Sequence, residues 1–417
     1  MSRTLVLALA LYALVVAGLA TLSGALLALA LPLLVYLGAA LLARPEPPKL
    51  AANRSLAERA GPGEPVHVRL EVTNAGTAPL DLLIEDQLPA GLELTDGDAA
   101  LRVTIAPGES ATLSYTASGP RGMYRWQHLR ASITDPLGLR GASAQVPAPG
   151  RLFVLPPHTR LRRLDIRPRR TRNNAGLIPA RQGGPGIDFF GVREYQPGDP
   201  TRWINARVSA RYPETLFVNE FEQERVIDVG IILDARRGDG IPPELFERSV
   251  EAAAALADAL LDRGNRVGLV TYGYGLDWTF PGYGKRQRER IMRALARAEQ
   301  GDHIAFESLD NLPTRQFPAR SQLILISPLQ HDDPRTLTRI RAHGYELLVI
   351  SPDPVEHERR LLPPGPAAEL TCRVLRVERD LLLHRVRETG VRVVDWGPDL
   401  PFQQLAEQAL SRPFFTY

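Results

Sequence analysis

The chain has one cysteine, Cys372, in 417 residues. No internal disulfide can form, which suits a reducing compartment. The eight histidines are scattered without metal-ligand spacing. Gly273-Tyr274-Gly275 and Gly282-Tyr283-Gly284 are glycine-containing turns with no following Lys-Ser/Thr, so no phosphate-binding P-loop is encoded. Charge of one sign is not in surplus: 50 basic against 47 acidic residues leave a net +3, no global case for nucleic-acid binding. The most telling absence is local. From Thr4 to Ala43 there is no charged residue at all.

That stretch is rich in Leu, Ala and Val. A helix needs about 20 apolar residues to cross a hydrocarbon core roughly 30 Å thick, and this segment is long enough to do so twice. Thr21-Leu22-Ser23-Gly24 is the natural turn, which predicts helices over about 4–20 and 25–43. A cleaved signal peptide has a shorter apolar region, about 7–15 residues; a single long tilted helix is the other alternative. Arg3 precedes the segment and Arg44, Lys49 and Arg54 follow it. A hairpin with both ends in the cytoplasm satisfies both basic flanks. The expectation is therefore a multi-pass protein of the inner (cytoplasmic) membrane, with its remaining domains in the cytoplasm.

Residues 44–65, opening Arg44-Pro45-Glu46-Pro47-Pro48-Lys49, read as a stiff linker. Over 66–156 the pattern becomes alternating: Val66–Val72, Leu80–Ile84, Leu101–Ile105, Ala111–Ala117, Leu129–Thr134 and Arg151–Leu155, separated by Gly-, Pro- and Asn-containing turns. Short strands at this spacing predict an antiparallel, immunoglobulin-like β-sandwich, with Trp126 as core. Residues 157–182 form a basic connector carrying seven arginines from Arg160 to Arg172. It reads as a solvated connector that pairs with carboxylates of the next domain, or as a site for an acidic partner, anionic lipid head groups or nucleic acid.

From 226 to 417 strands and helices alternate. Strands are expected at Val226–Leu233, Arg266–Tyr272, Gln322–Ser327, Glu346–Ser351 and near Asp395. Helices are expected at Pro243–Asp262, Gln287–Ala298, Pro334–Ala342 and Leu400–Leu410. This is the pattern of a doubly wound α/β sheet.

Between the two domains, residues 183–225 hold the most distinctive string. It runs Asp188-Phe189-Phe190-Gly191-Val192-Arg193-Glu194-Tyr195-Gln196-Pro197-Gly198-Asp199, then Arg202-Trp203-Ile204-Asn205-Ala206-Arg207-Val208-Ser209-Ala210-Arg211, then Phe217-Val218-Asn219-Glu220-Phe221-Glu222-Gln223-Glu224. Its mixed charges read as an ion-pair lattice fixing the segment to the α/β sheet, since the planar fork of Arg binds carboxylates bidentately. The members would be Asp188, Arg193, Glu194, Tyr195, Gly198, Asp199, Arg202, Ser209, Arg211, Glu220 and Glu224. The rival reading is a metal-dependent hydrolase using Asp188, Glu194 and Asp199.

The string resembles the signature of the domain-of-unknown-function 58 family, as does the upstream Asp135-Pro136-Leu137-Gly138-Leu139. The resemblance implies amino-terminal membrane helices, a β-rich domain and a von Willebrand factor A-like α/β domain. It also implies a protein partner, a MoxR-type AAA+ ATPase, in assembly, maturation or envelope stress. Von Willebrand factor A domains often hold Mg²⁺ at Asp-x-Ser-x-Ser after the first strand. Here Asp234 matches the first ligand, but Arg236 and Gly238 stand where the serines would be, and Ser327 follows a later strand where an Asp is expected. A guanidinium at Arg236 repels a divalent cation and can itself neutralise Asp234. The reading is a degenerate site without metal or cofactor, on a partner-binding face carrying Asp234, Arg236, Arg237 and Ser327. The function expected is a membrane-anchored, non-enzymatic interaction or scaffold protein with no catalytic residues, no nucleic-acid partner and no small-molecule substrate. An outward-facing adhesion protein is a further alternative, and it requires the single-span topology.

Overall fold

The structure is a computed structural model. It describes residues 3–42, 47–134, 141–157, 159–161, 178–225, 228–237, 242–273, 275–301, 321–363 and 365–410, with residues 309, 312, 314 and 317. Within these, the side chains of 3–5, 39–42, 134, 141, 178–188, 190 and 221–225 lie outside the description. The chain divides into two compact units, Met1–Val154 and Leu155–Tyr417.

The amino-terminal unit begins with two helices, α1 (Arg3–Ala20) and α2 (Gly24–Leu42), of 18 and 19 residues. They fold back on each other through Thr21–Ser23. Leu22 takes a left-handed φ of 51°, and the Ser23 N–H donates to the Gly18 carbonyl. A Cβ at Gly18 would come within 2.9 Å of Leu27 Cδ2, so glycine permits the close approach. Leu9, Leu19 and Leu31 are at least 60% exposed. Among the described residues no helix is long and apolar enough to cross a membrane.

Nine strands follow: β1 (Leu50–Ser55), β2 (Arg59–Ala60), β3 (Val66–Asn74), β4 (Leu80–Glu85), β5 (Glu93–Gly97), β6 (Ala100–Ile105), β7 (Ser110–Ser118), β8 (Gly122–Thr134) and β9 (Gly141–Val154). They make two sheets, ordered β1-β3-β7-β5 and β2-β9-β8-β4-β6. All neighbours are antiparallel except β2 and β9. The alternation in Val66-His67-Val68-Arg69-Leu70-Glu71-Val72 places the apolar residues inward, and Leu70, Val72, Leu82 and Ile84 are fully buried. The expected linker is corrected here. Leu50–Ser55 is an edge strand of the sandwich, because Arg54 points inward to a buried partner rather than to water. β5 also escaped the pattern, since all five of its residues are exposed and no apolar period marks it.

The second unit opens with an antiparallel pair, β10 (Ile178–Glu194) and β11 (Phe217–Arg225), joined through a short 3₁₀ turn at Thr201–Trp203 and α3 (Ala206–Ser209). Then come β12 (Asp228–Ala235), α4 (Pro243–Asp262), β13 (Arg266–Gly273), β14 (Leu276–Gly282), α5 (Gly284–Arg297), β15 (Gln322–Ile326), α6 (Asp333–Ala342), β16 (Glu346–Pro352), α7 (Pro354–Leu361), α8 (Pro366–Glu388), β17 (Arg392–Trp396) and α9 (Phe402–Ala409). The sheet order is β14-β13-β12-β15-β16-β17. All pairs are parallel except the edge strand β14. Helices cover both faces. Ile231, Leu233, Leu269 and Ile324 pack with the alanine-rich stripe of α4; Ile232, Val270, Leu325 and Val349 pack with Leu337 of α6 and Leu383 and Val386 of α8. A sheet covered on both sides needs strands apolar on both sides, which is why β12 reads as a continuous run. Within 226–417 three described elements, β14, α7 and α8, were not anticipated, nor were β10, β11 and α3 before them. β14 carries Pro281 and only partly buried side chains, as befits an edge.

Candidate functional site at the carboxyl ends of the strands

Strand order reverses between β12 and β15. In a doubly wound sheet the crevice beyond the carboxyl ends at such a reversal is where ligands bind. Here it is filled from within. Asp234 lies at the carboxyl end of β12, Ser327 follows β15, and Asp333 opens α6. The two carboxylates converge on Arg236, and Ser327 joins through Asp234. The guanidinium grips Asp234 through Nε (2.9 Å) and Nη2 (2.7 Å). It also grips Asp333 through Nη1 (3.1 Å) and Nη2 (2.9 Å). Ser327 Oγ donates to Asp234 Oδ2 at 2.5 Å, and the backbone N–H groups of Arg236 and Gln330 complete the two carboxylates. The side chains of Asp234, Arg236 and Asp333 are each 3% exposed.

The surrounding backbone is shaped for this closure. A Cβ at Gly273 would lie 2.3 Å from the Ala235 carbonyl, so only glycine lets β13 run flush against the end of β12. Leu329 adopts a left-handed φ of 65°, and its N–H donates to Ser327 Oγ at 3.0 Å. A non-glycine residue held there costs on the order of 1–3 kcal/mol and persists only where neighbours fix it.

The electrostatics follow from burial. Desolvation works against the charge of Arg236, but Asp234 and Asp333 outweigh it and hold the guanidinium pKa above its ordinary value. Burial pushes the Asp333 carboxyl up, with Arg236 opposing. Two carboxylates and a hydroxyl are oxygen donors of the sort a hard divalent cation takes. In this chain the guanidinium occupies their focus.

A second buried arginine lies along the same edge. Arg379 of α8 donates to Asp395 Oδ1 at 2.6 Å, to Ser351 Oγ at 3.2 Å and to the Pro328 carbonyl at 3.2 Å. Next to it, Arg376 bridges Asp353 (2.5 Å) and Glu356 (2.7 Å). The sequence pattern did not reveal Arg379, because α8 itself escaped it, and it did not bring Asp333 into the site. The available signal for Asp333 was its place before Pro334, at the start of a helix.

Of the residues expected on a binding face, Asp234, Arg236 and Ser327 are brought together but buried, so they present no surface. Arg237 alone of the four is exposed. Gly238 lies outside the described residues.

The signature string forms its own small lattice. Arg193 makes a bidentate pair with Asp199 (2.8 and 2.7 Å) and reaches Glu220 at 3.7 Å. Gln196 N–H adds 2.8 Å to Asp199, and Gly198 supplies the turn with φ 108°. Hydrogen bonds from Arg193 and Gln196 hold the Asp199 carboxyl below its ordinary value. Tyr195 N–H meets the Leu216 carbonyl at 2.7 Å. Ser209 Oγ accepts the Phe217 N–H at 2.9 Å, and Asn205 caps α3 while binding Asn219. Among the described residues the ion pairs of this lattice close within the segment, between Arg193, Asp199 and Glu220, and Glu194, Arg202, Arg207 and Arg211 are exposed. The side chains of Asp188 and Glu224, residues 135–140 and arginines 162–172 lie outside the described residues. Among the described residues no three His, Cys, Asp or Glu side chains are placed to hold a metal ion.

The family model described as "Protein of unknown function DUF58" matches residues 191–371. The chain carries a DUF58 domain. The match runs from the Arg193–Asp199 turn through the Arg236 cluster into α8. No curated protein matches the chain. Among solved structures, the chain is similar to a fragment of Escherichia coli alpha-2-macroglobulin at 20% identity and TM-score 0.23, covering 28% of this chain and 18% of that one. It is similar to a FixG-related protein from Vibrio parahaemolyticus at 12% identity and TM-score 0.18, covering 26% and 98%. It is similar to the CARDB domain of PF1109 from Pyrococcus furiosus, solved with di-metal ions, at 17% identity and TM-score 0.17, covering 25% and 90%. Likenesses this low carry no argument about the DUF58 domain or its activity.

Proposed function

We propose that this DUF58 protein is a membrane-anchored, non-enzymatic interaction protein whose α/β domain is von Willebrand factor A-like. The observation that carries the reading is the Arg236 cluster. An internal cation sits between Asp234 and Asp333 at the ligand-binding crevice of the sheet, leaving recognition by surface contact as the task the geometry supports best. The sheet order with its single antiparallel edge strand supports the von Willebrand comparison. Membrane anchoring is supported by the charge-free stretch from Thr4 to Ala43 and by exposed leucines on a helical hairpin, surface that lipid would cover. Basic residues on both flanks favour a cytoplasmic location. A MoxR-type AAA+ ATPase is the partner the family resemblance implies, and Arg237 is the member of the expected face in a position to touch it.

The test is a pulldown with full-length protein in detergent against its own membrane and cytosolic extract, with and without nucleotide. Recovery of an AAA+ ATPase, reduced by Arg237→Glu at unchanged stability, is the expected result; no ATPase under either condition sinks the partner assignment. Alkaline phosphatase activity from a fusion after Tyr417 would overturn the cytoplasmic placement.

A further inference from the structure

α8 is the longest helix of the second unit, 23 residues, and it has two apolar faces. One packs into its own domain through Cys372, Arg379, Leu383 and Val386. The other has no cover: Leu370 is 64% exposed, Val374 52%, Val377 59% and Leu381 52%. Their spacing is four, three, four, the seam of a coiled coil rather than a scatter of surface apolar residues.

The charges beside this seam decide what fits it. With Leu370 and Val377 at d and Val374 and Leu381 at a, the flanking g positions are Arg373 and Asp380. The flanking e positions are Glu378 and Arg385. All four are exposed. In a parallel pair, each g residue faces the e residue five positions on in the other helix. Arg373 then meets a second copy's Glu378, and Asp380 meets a second copy's Arg385. Both contacts are attractive, and two-fold symmetry makes each twice. An antiparallel pair in the register with the same seam sets Arg373 against Asp380 and leaves Glu378 and Arg385 unused. The balanced signs also argue against an anionic lipid surface, which calls for a basic rim.

We propose that α8 is a homodimerisation helix, pairing in parallel with α8 of a second copy through Leu370, Val374, Val377 and Leu381. The opposite face is already buried in its own domain, which leaves one side to offer and favours two chains over three. The proposal stands on α8 alone and does not depend on the function proposed above. If the hairpin is membrane-inserted, the short seam gains strength from confinement of both copies to one surface.

The experiment uses the full-length chain in detergent, with dissociation followed by analytical ultracentrifugation. Glu378→Arg is expected to weaken the dimer about tenfold or more, by turning two attractive contacts repulsive. The swap Arg373→Glu with Glu378→Arg is expected to restore it. These positions are exposed, so folding is spared, and circular dichroism checks that. Single cysteines give the direction: Leu370→Cys and Leu381→Cys each link to themselves on oxidation if the helices run parallel. A monomeric wild-type chain, a dimer indifferent to Glu378→Arg, or linking only when the Leu370→Cys and Leu381→Cys variants are mixed overturns the proposal.

Discussion

The sandwich and the α/β domain each bury an arginine, and the two are solved differently. In the sandwich, Arg54 pairs with Asp86 at 2.6 and 2.9 Å, with both side chains fully excluded from water. Tyr115 O–H donates to Asp86 at 2.6 Å, Arg54 Nε donates to the Ala148 carbonyl at 3.0 Å, and the Trp126 ring lies 5.2 Å beneath the guanidinium. One cation meets one anion. In the α/β domain one cation meets two anions, Asp234 and Asp333, at the mouth of a crevice rather than between two sheets. A neutral, enclosed pair is a packing device. A cluster with a surplus carboxylate, at the place where related architectures bind ligands, has the form of a binding site whose cation has become part of the chain.

The comparison breaks most sharply if each arginine is relieved of its partners. Asp86→Ala strands Arg54 in the sandwich core, and about 3–5 kcal/mol of that unit's stability is expected to go. Urea unfolding followed by Trp126 fluorescence reads this. Arg236→Ser leaves two carboxylates facing each other and is expected to cost a similar or slightly smaller amount, because the crevice edge admits water more readily than the inter-sheet core. Unlike the sandwich variant, it should be partly rescued by millimolar Mg²⁺, which would raise the unfolding temperature of Arg236→Ser and leave the wild type unmoved. An equal Mg²⁺ response in both proteins would show that Arg236 is not the cation of the site.

Smaller effects sharpen the same contrast. Tyr115→Phe removes one hydrogen bond to a buried carboxylate, expected to cost about 1.5–3 kcal/mol. Burial and Asp86 together hold the Tyr115 phenol above its usual range, so its absorbance should show no ionisation at pH values where free tyrosine titrates. The smallest effect belongs to the partly exposed Arg193–Asp199 pair, where solvent screens the interaction. Because the folded Asp199 pKa is depressed, its contribution is present above the ordinary carboxylate range and lost as pH falls through the folded value. A fall in the protection factor of the Gln196 amide on acidification, taken against its intrinsic exchange rate and absent from Arg193→Ala, would report it. A protection factor that does not change with pH in the wild type would show that this pair does not order the turn.

Much of the fold was legible because it rests on periodicity. Pro243–Asp262 and the strands Arg266–Gly273 and Glu346–Pro352 stand within a residue of where their patterns place them. The elements that escaped lack a clean period. β5 is exposed throughout. β1 carries an inward arginine that reads as a polar flank. α8 has apolar residues on two opposite faces, and these blur the single stripe by which an amphipathic helix is recognised. In the site, Asp234 and Arg236 were legible as a pair because only Ala235 separates them. Asp333 was not, since it stands 97 positions after Arg236.

By itself the sequence determined the order of the domains, the charge-free stretch from Thr4 to Ala43, the doubly wound pattern and the placing of Arg236 two positions after Asp234. These are local or periodic properties, fixed by which side chains follow one another. Only the tertiary structure decided that Asp333 closes the cluster, that Asp234, Arg236 and Ser327 are buried rather than presented, and that α8 keeps an apolar seam uncovered. Those outcomes depend on which distant segments share an edge or leave a face open. No run of neighbouring residues encodes that.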